Sequence, residues 1–248
     1  MTSKYLVYMA TDLRKQGLLL LRQALDNSTS DFRPGQWEAI EELLQQRSRL
    51  LVVQRTGWDE IFSYTRRVAQ NIAVQGMQVI SGGARGLDQA AMLAVLDAGG
   101  TSVGVLADSL TKTAVNSKYR SSIKEGRLTL VSSYDPEAGF NTGNAMGRNK
   151  YIYALADYAL VVSSSFGKGG TWAGAVETLS RLQYIPVFVR LDGAISEGNQ
   201  QLHNQGAKPF PAEPWNDSLR ELLVKAASSI EPVQTVEKIP QETVLDID

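Results

Sequence analysis

The stretch V-I-S-G-G-A-R-G-L-D-Q-A-A, Val79 to Ala91, decides how the chain folds. An apolar run ends at Ser81, three glycines (Gly82, Gly83 and Gly86) permit a tight turn with close backbone approach, and Asp88 stands where it can cap a following helix. Free N–H groups at such a turn, the helix N-terminus and the cation of Arg85 together suit an anion, most simply a phosphate. The plainer alternative is a structural turn with a solvated Arg85. The pattern is neither a dinucleotide-binding G-x-G-x-x-G nor a P-loop, because no G-K-[ST] follows.

Outward from this turn, short apolar runs alternate with helical stretches from Arg49 onward, the pattern of a parallel sheet covered by helices. The runs place strands at Leu50–Val53, Gln78–Ser81, Thr101–Leu106, Leu128–Ser132, Tyr158–Val162 and Ile185–Val189. Between them, amphipathic spacing predicts helices near Ile61–Val74, Asp88–Asp97, Ser117–Glu125, Gly147–Leu155 and Trp172–Leu182, with a last one at Leu219–Ala227. Functional loops of such a sheet gather at the carboxyl ends of its strands. The first 47 residues read as helical with a break at Asn27–Pro34, and the chain ends in a Pro-interrupted acidic tail expected to be mobile or an interaction segment.

A second loop, S-S-S-F-G-K-G-G-T-W-A-G-A-V-E from Ser163 to Glu177, repeats the order of strand, glycine turn and helix. Lys168 adjoins Gly169, Gly170 and Thr171 where a helix begins, so a cation and backbone donors converge again. Trp172 reads as a packing aromatic or a base-stacking one, and Glu177 as a ribose contact or an internal cap. A third block, F-N-T-G-N-A-M-G-R-N-K-Y-I-Y-A-L-A-D from Phe140 to Asp157, puts Arg148 and Lys150 at the expected start of a helix. Cations there oppose the helix dipole unless an anion compensates them. Tyr151 and Tyr153 alternate with these cations and suit either base stacking or the core.

Charge supports a local site. The formal net charge is -1, but Asn216–Asp248 carries seven acids and three bases, leaving +3 on the first 215 residues. Within that body, Lys112–Lys150 holds seven bases against three acids. With no Cys and only His203, the chain excludes Cys/His metal sites, disulfides and thiol chemistry, and it disfavours a Ser-His-Asp triad. No cofactor is expected. No run approaches the roughly 20 apolar residues that span a bilayer, and no signal-peptide pattern opens the chain, so no membrane and a cytoplasmic location are expected.

The Val79–Ala91 turn, A-G-G-T-S-V-G-V-L-A-D-S-L, the Phe140–Asp157 block and K-G-G-T-W-A-G-A-V-E together resemble the DprA/Smf family of DNA-processing proteins, over roughly Arg49 to Pro211. The resemblance implies a Rossmann-like α/β fold, a doubly wound, mostly parallel sheet with helices on both faces. The expected divisions are a helical extension (1–48), the DprA-like domain (49–214) and a short helix with acidic tail (215–248). It further implies a non-catalytic protein that binds single-stranded DNA in a basic pocket, acts as a homodimer in recombination or DNA uptake, and contacts a RecA-type recombinase. The family's motifs fall on Arg85, on Arg148 with Asn149, and on Lys168 with Thr171. Its first-strand Arg falls on Arg55, with Gln54 where the family has a small residue.

Two other likenesses leave alternatives open. Phe32–Trp58 resembles the entry segment of RecQ-like helicases, but Asp59 and Glu60 follow where a Walker Lys and a hydroxyl residue would stand, so no ATPase is expected. G-G-T-W-A-G-A-V-E also resembles the loop of LOG-type phosphoribohydrolases, which implies nucleoside monophosphate cleavage with Arg85 on phosphate and Glu177 at the ribose. DprA-like proteins also serve as antitoxins of two-gene antiphage systems, which implies a phosphoribosyltransferase-like toxin as partner.

Overall fold

A computed structural model describes residues 14, 15, 17–19, 22, 27–32, 37, 49–54, 59–84, 86–215 and 217–228. They divide between two compact units, within residues 1–47 and 48–248. In the first, residues 14, 15, 17–19, 22 and 37 are helical, and the expected break appears as a turn in which Thr29 N and Oγ1 donate to Asn27 Oδ1 at 2.9 and 2.8 Å. The rest of the expected N-terminal helices, Arg55, Arg85 and the acidic tail past Ser228 lie outside the described residues.

The second unit is a seven-stranded sheet interleaved with helices: β1 (Arg49–Gln54), α1 (Asp59–Val74), β2 (Gln78–Ser81), α2 (Leu87–Asp97), β3 (Thr101–Leu106), α3 (Leu110–Ala114), α4 (Ser117–Lys124), β4 (Leu128–Ser132), α5 (Thr142–Leu155), β5 (Tyr158–Ser163), α6 (Gly169–Arg181), β6 (Val187–Val189), α7 (Glu197–Asn204), β7 (Lys208–Pro209) and α8 (Leu219–Ser228). The strand order is β4-β3-β2-β1-β5-β6-β7 and every pairing is parallel. A parallel sheet is covered on both faces, which is why its inner strands are apolar without alternation. Leu50, Leu51, Val79, Ile80, Val103, Ala159, Leu160 and Val161 are all fully buried.

The chain steps from β1 to β2, β3 and β4 in one direction, then crosses back to β5 and continues through β6 to β7 in the other. Right-handed crossovers of opposite direction set their helices on opposite faces, so the sheet is doubly wound and its connections diverge between β1 and β5. In open α/β sheets such a divergence is where ligands bind, outside the carboxyl ends of the two strands.

On one face, Tyr64, Val68 and Ile72 of α1 recur every four residues and are buried together, with Asp59 and Glu60 in the first turn complementing the helix dipole. The helix after Pro214 belongs to this core: Leu219 and Leu223 of α8 are fully buried, and Leu219 N donates to Gln75 Oε1 at 2.7 Å. Lys208 Nζ donates to Ala226 O and Ala227 O at 3.0 and 2.6 Å, satisfying carbonyls at the end of α8.

Three elements were not expected from the sequence: α3, α7 and β7. One boundary also needs correction. The helix expected from Gly147 begins at Thr142, because Asn141 caps it by accepting from Asn144 N at 3.2 Å. Among the described residues, no helix is long and apolar enough to cross a membrane.

Candidate functional site

Two of the three blocks singled out in the sequence meet the carboxyl edge of the sheet on either side of β1. The ends of β2 and β5 flank it, two interstrand spacings or roughly 10 Å apart. The glycine turn follows β2, and the Lys168 turn follows β5. Arg55, which follows β1 in the chain, lies outside the described residues, as does Arg85.

At the β2 turn, Ser81 is fully buried and Gly82 is pressed against Arg148, so closely that a side chain at 82 would occupy the position of Arg148 Nη1. Arg148 Nη1 donates to Gly82 O and, at 2.7 Å, to Val105 O, tying the ends of β2 and β3 to α5. Only 6% of Arg148 is exposed. This corrects the expectation about its place: α5 starts six residues before Arg148, so neither Arg148 nor Lys150 sits at a helix N-terminus, and the dipole gives no reason for an external anion there.

Asp88 also departs from its expected role. Gly86 occupies the N-cap position of α2 without a side-chain cap, and Asp88 is the second residue of the helix. Its carboxyl turns back to the N–H groups of Ala84 and Gly82, beside Arg148. Burial pushes this carboxyl up to about 6, against the opposing pull of Arg148 and the two N–H groups. Burial lowers the Arg148 guanidinium, while Asp88 and then Asp108 sustain its charge. Tyr153 is raised by burial and next by Asp88. The turn with Gly82, Gly83 and Gly86 therefore carries an anion of its own. Within this cluster, Ser81 Oγ, Arg148 Nε and Tyr153 Oη have no hydrogen-bond partner among the described residues.

The β5 turn is open by comparison. Lys168 N donates to Ser165 O at 3.3 Å, and Gly167 takes the left-handed conformation (φ +67°) that the third position of such a turn requires. Lys168 is exposed, at the N-cap of α6, and makes no side-chain cap. The first N–H groups of α6, on Gly169, Gly170 and Thr171, thus have neither an intrahelical acceptor nor a side-chain cap from Lys168. Asn149 Nδ2 donates to Gly170 O at 3.3 Å and holds α5 against this end of α6. Phe166, at the tip of the turn, is 47% exposed and meets Trp172 edge-on, with ring centroids 5.1 Å apart and planes at 88°.

Lys150 and Glu177 sit elsewhere. Together with Tyr153, Gly174 and Arg181 they line a groove between α5 and α6 enclosing about 110 Å³. Glu177 is eight residues into α6, about 12 Å along its axis from the uncapped N–H groups, and faces Arg181 at 3.6 Å. Tyr151 is exposed on α5. The structure thus gathers Ser81, Gly82, Gly83, Gly86 and Arg148 at one turn, and Lys168, Gly169, Gly170, Thr171 and Asn149 at the other. Lys150 and Glu177 share the groove.

Sequence reasoning missed Phe166, whose signal was an aromatic beside glycine at a turn tip. It also missed Arg190, buried after β6. Arg190 Nη2 donates to Glu60 and its Nε to Asp192, at 2.7 and 2.8 Å, and the guanidinium lies 4.2 Å over the Tyr64 ring. This clamp fixes the start of α1, immediately after the segment that contains Arg55.

A family model described as DNA recombination-mediator protein A matches residues 40–222. No curated protein sequence matches the chain significantly. Among solved structures, the chain is similar to DNA processing protein A from Helicobacter pylori, described for its single-stranded DNA binding mode (TM-score 0.59, 21% identity, 75% of this chain and 84% of that one). It is similar to DNA processing protein A from Streptococcus pneumoniae (TM-score 0.58, 21% identity, 75% of this chain), of which it spans 64%. It also resembles the molybdenum cofactor binding protein of Rippkaea orientalis (TM-score 0.51, 15% identity, 73% of this chain and 97% of that one). At these identities the likeness is one of fold.

Proposed function

The chain belongs to the DNA recombination-mediator protein A family, and from that premise we propose that it binds single-stranded DNA at the carboxyl edge of its sheet, as a non-catalytic protein of recombination or DNA uptake. The observation that carries this reading is the β5 turn, where an exposed Lys168 adjoins the uncapped N–H groups of Gly169, Gly170 and Thr171 at the carboxyl end of β5, the strand next to β1. A cation and oriented backbone donors together suit a phosphate oxygen. Arg55 and Arg85, from the loops after β1 and β2, supply further phosphate contacts in this reading. Arg148 and Asn149 contribute indirectly, by holding the two turns in place.

Binding of a labelled oligonucleotide across a salt series tests it. Affinity for a single strand falls with a log–log slope of about -0.7 for each phosphate neutralised. Lys168→Gln is expected to weaken binding and reduce that slope by about 0.7, and Lys168→Gln with Arg85→Ala to reduce it further. Absence of binding at low salt, or an unchanged slope in the double variant, would refute it.

A further inference from the structure

We propose that Phe166 is a stacking platform for one nucleobase of the bound strand, placed beside the phosphate held at Lys168 and the start of α6; this rests on the single-stranded DNA reading above and names a contact within that site. A single exposed aromatic is ordinary on a protein surface, and exposure alone would carry nothing. What distinguishes Phe166 is that its ring is held rather than free. The turn that displays it is pinned by the Lys168 N to Ser165 O hydrogen bond and by the left-handed Gly167. The ring itself is braced perpendicular to Trp172, which is half-buried in the first turn of α6. A perpendicular contact leaves at least one π face of Phe166 uncovered by Trp172, in keeping with its 47% exposure.

Bracing matters because a free aromatic loses rotamer freedom when a ligand orders it, and a ring already fixed does not. The chemistry of the partner follows from the neighbours. Lys168 is two residues away and exposed, and the α6 N–H groups come directly after it, so the platform adjoins a place suited to an anion. A ligand that presents a flat π surface next to a phosphate satisfies both, and a nucleotide of an unpaired strand does so with its base free to stack. Tyr184 provides a contrast: it is 71% exposed but follows the C-terminal end of α6, at the opposite edge of the sheet.

The test compares the full chain and its variants on a thymidine oligonucleotide and on an abasic oligonucleotide of equal length and charge. The wild-type protein is expected to bind the thymidine strand more tightly. Phe166→Ala is expected to lose about 5- to 150-fold in affinity for that strand, the range for one base–aromatic stack, with no change on the abasic strand and no change in salt slope. Phe166→Trp should retain the preference, and Tyr184→Ala should bind as the wild type does. Unchanged affinity of Phe166→Ala for the thymidine strand, or an equal loss on both strands, overturns the stacking role while leaving DNA binding intact. If the wild type binds neither strand, the function proposed above falls first.

Discussion

Replacing Arg148 by Met preserves the apolar stem and deletes the guanidinium, and it separates a structural arginine from a DNA-gripping one. Two carbonyls, Gly82 O and Val105 O, lose their donor, and each buried acceptor left unpaired costs about 1–3 kcal/mol. Asp88 at the same time loses the cation that opposes its burial. Breaking such a buried arrangement by removing one partner costs about 3–5 kcal/mol, a large share of the roughly 5–15 kcal/mol that holds a domain together. The loss depends on pH, with a definite sign. In the wild type the Asp88 carboxyl titrates near 6 when folded and near 3.9 when unfolded. The native state holds this proton more tightly, so the Asp88 contribution to stability is greatest at low pH, declines as pH rises from about 4 to about 6, and is flat above. Without Arg148 the folded carboxyl titrates higher still, and stability goes on declining past pH 6. Urea unfolding at pH 5 and pH 8 is therefore expected to give the larger deficit at pH 8, and Arg148→Met with Asp88→Asn is expected to recover part of it and lose the pH dependence. A deficit below about 1 kcal/mol, or one equal at both pH values, refutes the structural role. An arginine that only held phosphate would instead leave stability unchanged and reduce the salt slope of binding.

Two further substitutions probe the same edge of the sheet. Gly82→Ala puts a methyl group where Arg148 Nη1 lies and must displace the guanidinium, so its cost in urea unfolding should approach that of Arg148→Met and not add to it; full additivity would show that the two residues do not share one contact. Asn199 is fully buried, its Nδ2 donating to Val161 O, Val162 O and Arg190 O at 3.1, 3.0 and 3.0 Å and its Oδ1 accepting from Ser164 Oγ at 3.0 Å. Asn199→Ala is expected to cost at least about 3 kcal/mol by unpairing those groups, and a loss under about 1 kcal/mol in the same assay would contradict the assignment.

Much of the fold was legible in the sequence because a buried parallel strand announces itself as an apolar run. β2, β3 and β4 fall where their residues predict them, and β1 and β5 extend the expected runs by a residue or two. What stayed hidden was held by side chains distant in sequence. α7 contains Leu202 as its one aliphatic residue and is anchored by the Asn199 bonds to β5 and to Arg190, just past β6, while β7 is two residues paired to β6. The early start of α5 was obscured by Gly143, which reads as loop ahead of the helix expected from Gly147. In the structure Gly147 lies so close to the Tyr134 hydroxyl that a Cβ would stand 2.7 Å from it. The site was legible in its residue types and not in their directions. Arg148 looks like any surface cation until β2, β3 and Asp88 are brought around it from 43 to 66 residues away. Phe166 sits in a glycine turn in the sequence, but its exposure and its contact with Trp172 emerge only in the fold.

The two glycine turns that look equivalent in the sequence are therefore opposites in state. After β2, the turn's own carboxyl, Asp88, faces its N–H groups and a buried arginine, and burial already holds that carboxyl near 6. An incoming phosphate would have to displace a charge the protein supplies itself, in a place where Arg148 is committed to backbone carbonyls. After β5, the helix start has no carboxyl of its own, its lysine is exposed and its flanking aromatic is fixed in place. A net charge of -1 says little about either turn, because what decides anion binding is which donors remain unspent once the chain has folded. By that measure the β5 turn is the place where a strand would first be held. The β2 turn is instead tied, through the Arg148 contacts to Gly82 and Val105, to the neighbouring strand end.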